Sequence, residues 1–128
     1  MGTFSVPVQI IGPTGRSVEV EAVVDTGATH TLIPRTVLVD LGVEPLERVS
    51  FELADDRIQE YHVGEARLRL DGRERTTIVV FGPEGVRPLL GATTLELFNL
   101  AVDPVRQRLL SVPGLLKPIL DFRLAILD

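Results

Sequence analysis

The residues best equipped for chemistry stand together at Asp25-Thr26-Gly27-Ala28. Val23 and Val24 ahead of them are β-branched and apolar, as a buried strand requires, and Gly27 can leave the ordinary backbone regions. The spacing therefore predicts a carboxylate carried on a turn at the end of a strand. An acid so placed, with a hydroxyl neighbour and a glycine that lets other backbone come close, can be held by backbone N–H groups while it faces a cleft. The competing reading is a β-turn aspartate that bonds only its own backbone, and Asp-Thr-Gly alone does not separate the two. No second Asp-Thr-Gly occurs, since Asp40, Asp55, Asp56, Asp71, Asp103, Asp121 and Asp128 all lack that context.

Other reactive groups are few. The chain has no cysteine, which removes disulfides, thiolate metal sites and cysteine nucleophiles, and its two histidines, His30 and His62, lack metal-ligand spacing. Neither a metal nor a cofactor is expected. Thirteen Lys and Arg are dispersed among eighteen Asp and Glu for a net charge of −5, which argues against a nucleic-acid surface. The 128 residues suffice for one domain with its own core and are too few for two lobes. No apolar run is long enough to span a bilayer, and no basic segment followed by an apolar core opens the chain. Val6 stands where myristoylation after Met1-Gly2 needs Ser or Thr. The expectation is a cytoplasmic protein without membrane contact.

The elements that must position Asp25 can be read in order. Phe4 to Ile11 and Ser17 to Val24 are strand-like around the turn Gly12-Pro13-Thr14-Gly15, a hairpin that delivers Asp25. Pro7, lacking a ladder donor, places the first arm near an edge. Leu32-Ile33 is a short strand, and Pro34 suits the first turn of a short helix bearing Val37, Leu38 and Leu41, with Gly42 as its cap. Val49 to Leu53 and Ile58 to Tyr61 flank the polar turn Ala54-Asp55-Asp56-Arg57. Glu65 to Leu70 alternates strictly, Asp71-Gly72 is a strong hairpin signal, and Thr76 to Phe81 returns as a strand. Arg67 and Arg69 fall on one solvated face beside Glu65 rather than on a nucleic-acid stripe. After Gly91, Thr93 or Thr94 can cap a short helix that ends at Asn99, and Ala101 to Asp103 pairs with Arg108 to Val112 as a last hairpin. About ten short strands and two small helices suggest a closed, mainly antiparallel β domain.

With its flanks, the stretch from Val23 to Pro34 resembles the active-site loop of the aspartic peptidases, most closely the single-lobe, retroviral-like (retropepsin-type) members. Pro88-Leu89-Leu90-Gly91 is similar to the apolar strand ending in glycine that packs behind that loop in the family. The likeness covers roughly residues 4 to 112, and the arm from Arg108 to Val112 resembles cellular and bacterial members more than viral ones. It implies an all-β fold with one or two short helices, a closed antiparallel barrel of the acid-protease type with one lobe per chain. The peptidase domain would be residues 1–113. The tail 114–128, apolar but interrupted by Pro118, matches nothing in the family and reads as a docked arm, a partner-binding segment or a loose tail.

The resemblance also implies a reaction. Two carboxylates share one proton, one activating water and the other hydrogen-bonding the amide oxygen, so one acid per chain calls for a homodimer with an Asp25 from each copy. By the same resemblance Thr26 bonds across the two-fold axis, Gly27 offers its carbonyl to the substrate backbone, and Ala28 forms pocket wall. Peptide contacts are expected from Gly27, Thr29, His30 and Leu89, and from Ala54, Asp55 and Asp56 at the tip of a flap. Viral members carry an acid after the Ala and an Arg after the Leu-Leu-Gly-type glycine, where this chain has Thr29 and Ala92. Their ion-pair network is absent, and the arm from Arg108 to Val112 is the alternative source of interface. The leading expectation is an aspartic endopeptidase acting on peptide or protein. Against it stand a catalytically weak or inactive peptide-binding module of the same fold and a structural dimerisation domain.

Overall fold

The computed structural model describes residues 3–114 and residue 116. The expectations for Met1-Gly2 and for nearly all of the 114–128 tail therefore fall outside the described residues.

The first hairpin forms as its sequence suggests. β1 (Ser5–Ile11) and β2 (Ser17–Val24) pair antiparallel, from Ser5 opposite Val23 to Ile11 opposite Ser17. Two further segments sit close to where periodicity puts them: β3 (Thr31–Pro34) and the short helix α1 (Arg35–Asp40), which Pro34 precedes as N-cap. The long central hairpins are β4 (Glu47–Glu52) with β5 (Ile58–Leu70), and β5 with β6 (Arg73–Gly82) across Asp71-Gly72. β7 is only Leu89-Leu90, followed by α2 (Ala92–Leu97) and the hairpin of β8 (Leu100–Asp103) with β9 (Arg108–Ser111).

Pairing runs β1-β2-β7-β3-β6-β5 and returns from β5 to β1, so six strands close a ring and β4 lies outside it on β5. A closed, mainly antiparallel β domain with two short helices is the architecture expected. Two pairings are parallel: β2 with β7, and β3 with β6. In the first of these β7 enters between β2 and β3, antiparallel to β3 where Leu32 faces Leu89.

Three local readings need correction. β1 is not an edge along its whole length, because Gln9, Ile10 and Ile11 also pair with Arg69, Leu68 and Arg67 of β5. Pro7 falls in the half that has β2 alone beside it, where a missing donor is tolerated. Ile58–Tyr61 and Glu65–Leu70 are one continuous strand, since Gly64 does not break it but lets backbones approach: a Cβ there would stand 2.5 Å from the Glu44 carbonyl oxygen. Neither Thr93 nor Thr94 caps α2. Gly91 is the N-cap, no side chain bonds there, and Thr94 is turned into the core.

Inward residues of the ring and both helices make one core, with Val8, Ile10, Ile33, Leu38, Leu68, Val79, Leu90 and Phe98 almost fully buried. Burying an aliphatic side chain of this size is worth about 1.5–3 kcal/mol, which far exceeds the helix propensity of two six-residue helices and explains why α1 and α2 exist only as packed elements. No described helix is long and apolar enough to cross a membrane.

Candidate active site

Asp25 emerges where β2 ends, and the strand behind it sets its height. The Val23 N–H bonds the Pro88 carbonyl at 2.9 Å and the Asp25 N–H bonds the Leu90 carbonyl at 3.0 Å, so β7 guides the chain up to the carboxylate. Within the loop, Asp25 Oδ1 accepts the Gly27 N–H at 3.0 Å and the Asp25 carbonyl accepts the Ala28 N–H at 3.2 Å. That side-chain contact is also what an ordinary turn aspartate makes. Separating the two readings falls to the backbone clamp and the cleft.

The clamp has two sides. Ala28 and Thr29 carbonyls accept the N–H groups of Ala92 and Thr93 at 2.7 and 2.9 Å, which satisfies orphan donors in the first turn of α2 while pinning the loop. The two bonds tie residue 28 to 92 and residue 29 to 93, so Thr29 and Ala92 each take part in one of them through the backbone. Gly91 makes the approach possible, because a Cβ there would overlap the His30 carbonyl and come within 2.9 Å of the Ala28 oxygen. Behind the clamp lies a chain of buried hydroxyls. Thr31 Oγ1 accepts the Gly91 N–H at 3.1 Å and lies 2.6 Å from Thr94 Oγ1, which is 3.3 Å from Thr77 Oγ1. Each hydroxyl has a partner, so the polar atoms are buried without leaving the backbone of the loop underpinned by an unsatisfied group.

Above the loop is a cleft of about 740 Å³. Its floor comprises Asp25, Gly27, Ala28, Thr29, His30, Leu32, Val80 and Leu89, and its other wall is the β4–β5 hairpin through Ser50 to Ala54, Asp56 and Tyr61. The structure thus brings together Asp25, Gly27, Ala28, Thr29, His30, Ala54, Asp56 and Leu89. It leaves out two. Thr26 is exposed and does not line the cleft. Asp55 is spent on the hairpin turn, where Oδ1 accepts the Arg57 N–H at 3.2 Å and Oδ2 the Arg57 Nε–H at 2.6 Å.

Sequence reasoning missed the aromatic contact between the two walls. The His30 ring meets Phe51 edge to face at 5.8 Å, and Phe51 leans on Tyr61 at 6.2 Å. His30 is therefore turned into the cleft rather than to solvent, and its Nδ1 is buried without a hydrogen-bond partner. Alternation along β4, with Val49, Phe51 and Leu53 less exposed than Ser50 and Glu52, carried the signal that Phe51 faces inward. His62 lies apart, its Nε2 3.5 Å from Arg48 Nε. Among the described residues no cluster of three or more His, Cys, Asp or Glu is placed to hold a metal.

A closed β ring with an Asp-Thr-Gly loop at the floor of its cleft is the architecture of a single-lobe aspartic protease. The sequence matches the family model "gag-polyprotein putative aspartyl protease" over residues 14–96, and the chain belongs to this retropepsin-like family. Solved structures share the fold. The retroviral protease-like domain of Ddi1 from Leishmania major superposes with a TM-score of 0.57 at 17% identity, covering 87% of this chain and 87% of that one. Simian Foamy Virus (mac) protease gives 0.52 at 20% identity, over 71% of this chain and 90% of the other. EIAV protease, complexed with the inhibitor HBY-793, gives 0.52 at 17% identity, over 74% and 86%. No curated protein matches the sequence.

Proposed function

We propose that the chain is an aspartic endopeptidase that works as a homodimer, with one Asp25 from each copy forming the catalytic pair. The observation that carries this is Asp25 on the floor of a peptide-sized cleft, on a loop clamped by backbone bonds to β7 and α2. In the reaction one carboxylate takes a proton from water as its oxygen attacks the amide carbon. The protonated partner hydrogen-bonds the carbonyl oxygen, which gains charge in the transition state. The hydrated amide then collapses as its nitrogen is protonated and the C–N bond breaks, so no acyl-enzyme forms and no metal is needed. Like charges at short range resist double ionisation, which leaves one proton for the pair.

The remaining roles follow the same reading. Exposed Thr26 is available to bond the partner loop across the axis, and the Gly27 carbonyl receives the substrate backbone. Peptide lies extended between the floor and the β4–β5 hairpin, which acts as a flap, with main-chain bonds giving affinity and alternate side chains entering pockets. Residues 1–113 are the peptidase unit in this scheme. Incubating the purified protein with a mixed peptide library, with and without a pepstatin-type inhibitor, tests the proposal. Inhibitor-sensitive internal cleavage is expected, and absence of cleavage at any concentration that sustains a dimer favours a peptide-binding module instead.

A further inference from the structure

Taking the cleft as a peptidase site, we infer that it selects peptides with a lysine or arginine close to the bond that is cut. Three carboxylates, Asp25, Glu52 and Asp56, line the cleft, and among the described residues no lysine or arginine does. Two of the three are uncompensated on the hairpin wall. Among the described residues Glu52 and Asp56 form no ion pair, while the hairpin's own arginines are engaged elsewhere: Arg57 Nε lies 2.6 Å from Asp55, and Arg48 lies 3.7 Å from Glu60. From Glu47 to Tyr61 the sequence holds five acids against two arginines. A cleft lined by one sign of charge focuses its field on whatever enters, and two copies present the same charges on both sides of the axis.

The apolar part of the cleft supports the choice of a long cation. Leu32, Val80 and Leu89 give the methylene stem of a lysine or arginine a surface to lie on, while its charged end reaches toward the hairpin carboxylates. A glutamate in the same place meets like charge, so the arrangement rejects acidic peptides as well as attracting basic ones. Both hairpin acids are exposed, and the expected discrimination is accordingly modest, roughly threefold to tenfold, and sensitive to salt.

The test uses decapeptides with a fixed Leu-Phe core in which one flanking residue at a time is Lys, Gln or Glu. Binding to the Asp25→Asn chain is followed by fluorescence anisotropy and cleavage by the wild-type chain as kcat/KM, so that selectivity is read even if cleavage fails and only the peptidase reading falls. The Lys peptide is expected to exceed the Gln peptide at one or more positions at about 50 mM salt and to approach it at about 0.5 M. In the double variant Glu52→Gln, Asp56→Asn the Lys-to-Gln ratio falls toward one at both. Asn tolerates the left-handed φ of 68° at position 56, so the turn survives the change. No preference for Lys at any position, or a preference the double variant keeps, overturns the inference.

Discussion

Asp25 is legible in the sequence because its neighbours specify its support: valines bury the strand below it and a turn follows, in which the Gly27 N–H bonds the carboxylate although Gly27 does not use the left-handed φ open to a glycine. Its surroundings are less legible. The edge-to-face contact of His30 on Phe51 joins residues from two separate elements, and nothing in either segment states that they meet. Asp55 shows the opposite failure, since an exposed acid at a turn reads as available although its oxygens are taken by Arg57. At this scale the prediction concerns Asp25 itself. On the proposed mechanism Asp25→Asn and Asp25→Ala remove the group that takes the proton from water and should lower kcat/KM by about a thousandfold or more, with circular dichroism unchanged. Purified variants that cleave at the wild-type rate would remove Asp25 from the chemistry.

Among the elements, hairpins with strong turn signals are found where expected, because two-residue turns and period-two alternation are local. The readings that fail are those decided by tertiary contact. β5 runs through Gly64 because Glu44 packs against its backbone, and Thr94 is buried because its hydroxyl joins β3, α2 and β6 through Thr31 and Thr77. Valine is nearly isosteric with threonine but leaves those two hydroxyls short of a partner. Thr94→Val should therefore destabilise the fold by about 1–3 kcal/mol, read as a lower urea midpoint with an unchanged slope. An unaltered midpoint would show that the hydroxyl chain contributes nothing. The β4–β5 hairpin carries a second prediction, because under the proposed function it is a lid over the peptide and must open and close. Hydrogen exchange of Phe51 to Tyr61 should slow on inhibitor binding and speed up in Phe51→Ala, which loses the contact with His30. Equal exchange in all three states would make it a plain surface hairpin.

Across the whole molecule, closure of the ring could not be read from any local pattern. It depends on β1 meeting β5, residues 9–11 opposite 67–69, and on a two-residue strand inserted between β2 and β3. Composition and turn spacing nevertheless point to a closed β domain, since many short strands without long helices have few other ways to bury their faces. The β8–β9 hairpin stands outside the ring with Leu110 and Val112 exposed at 37% and 38%, an apolar surface suited to the second copy that the proposed mechanism calls for. Activity per chain should accordingly fall on dilution below the dissociation constant of the dimer.

The shared site is tested most directly by mixing a fixed amount of wild-type chain with increasing Asp25→Asn chain and measuring peptide cleavage per wild-type molecule after exchange. If each site needs an Asp25 from both copies, mixed dimers are inactive, and activity falls toward zero in step with the fraction of wild-type chains held in mixed dimers. Activity that stays constant across the titration, with mixed dimers demonstrated by mass spectrometry, would show that one chain carries a complete site and would contradict the account.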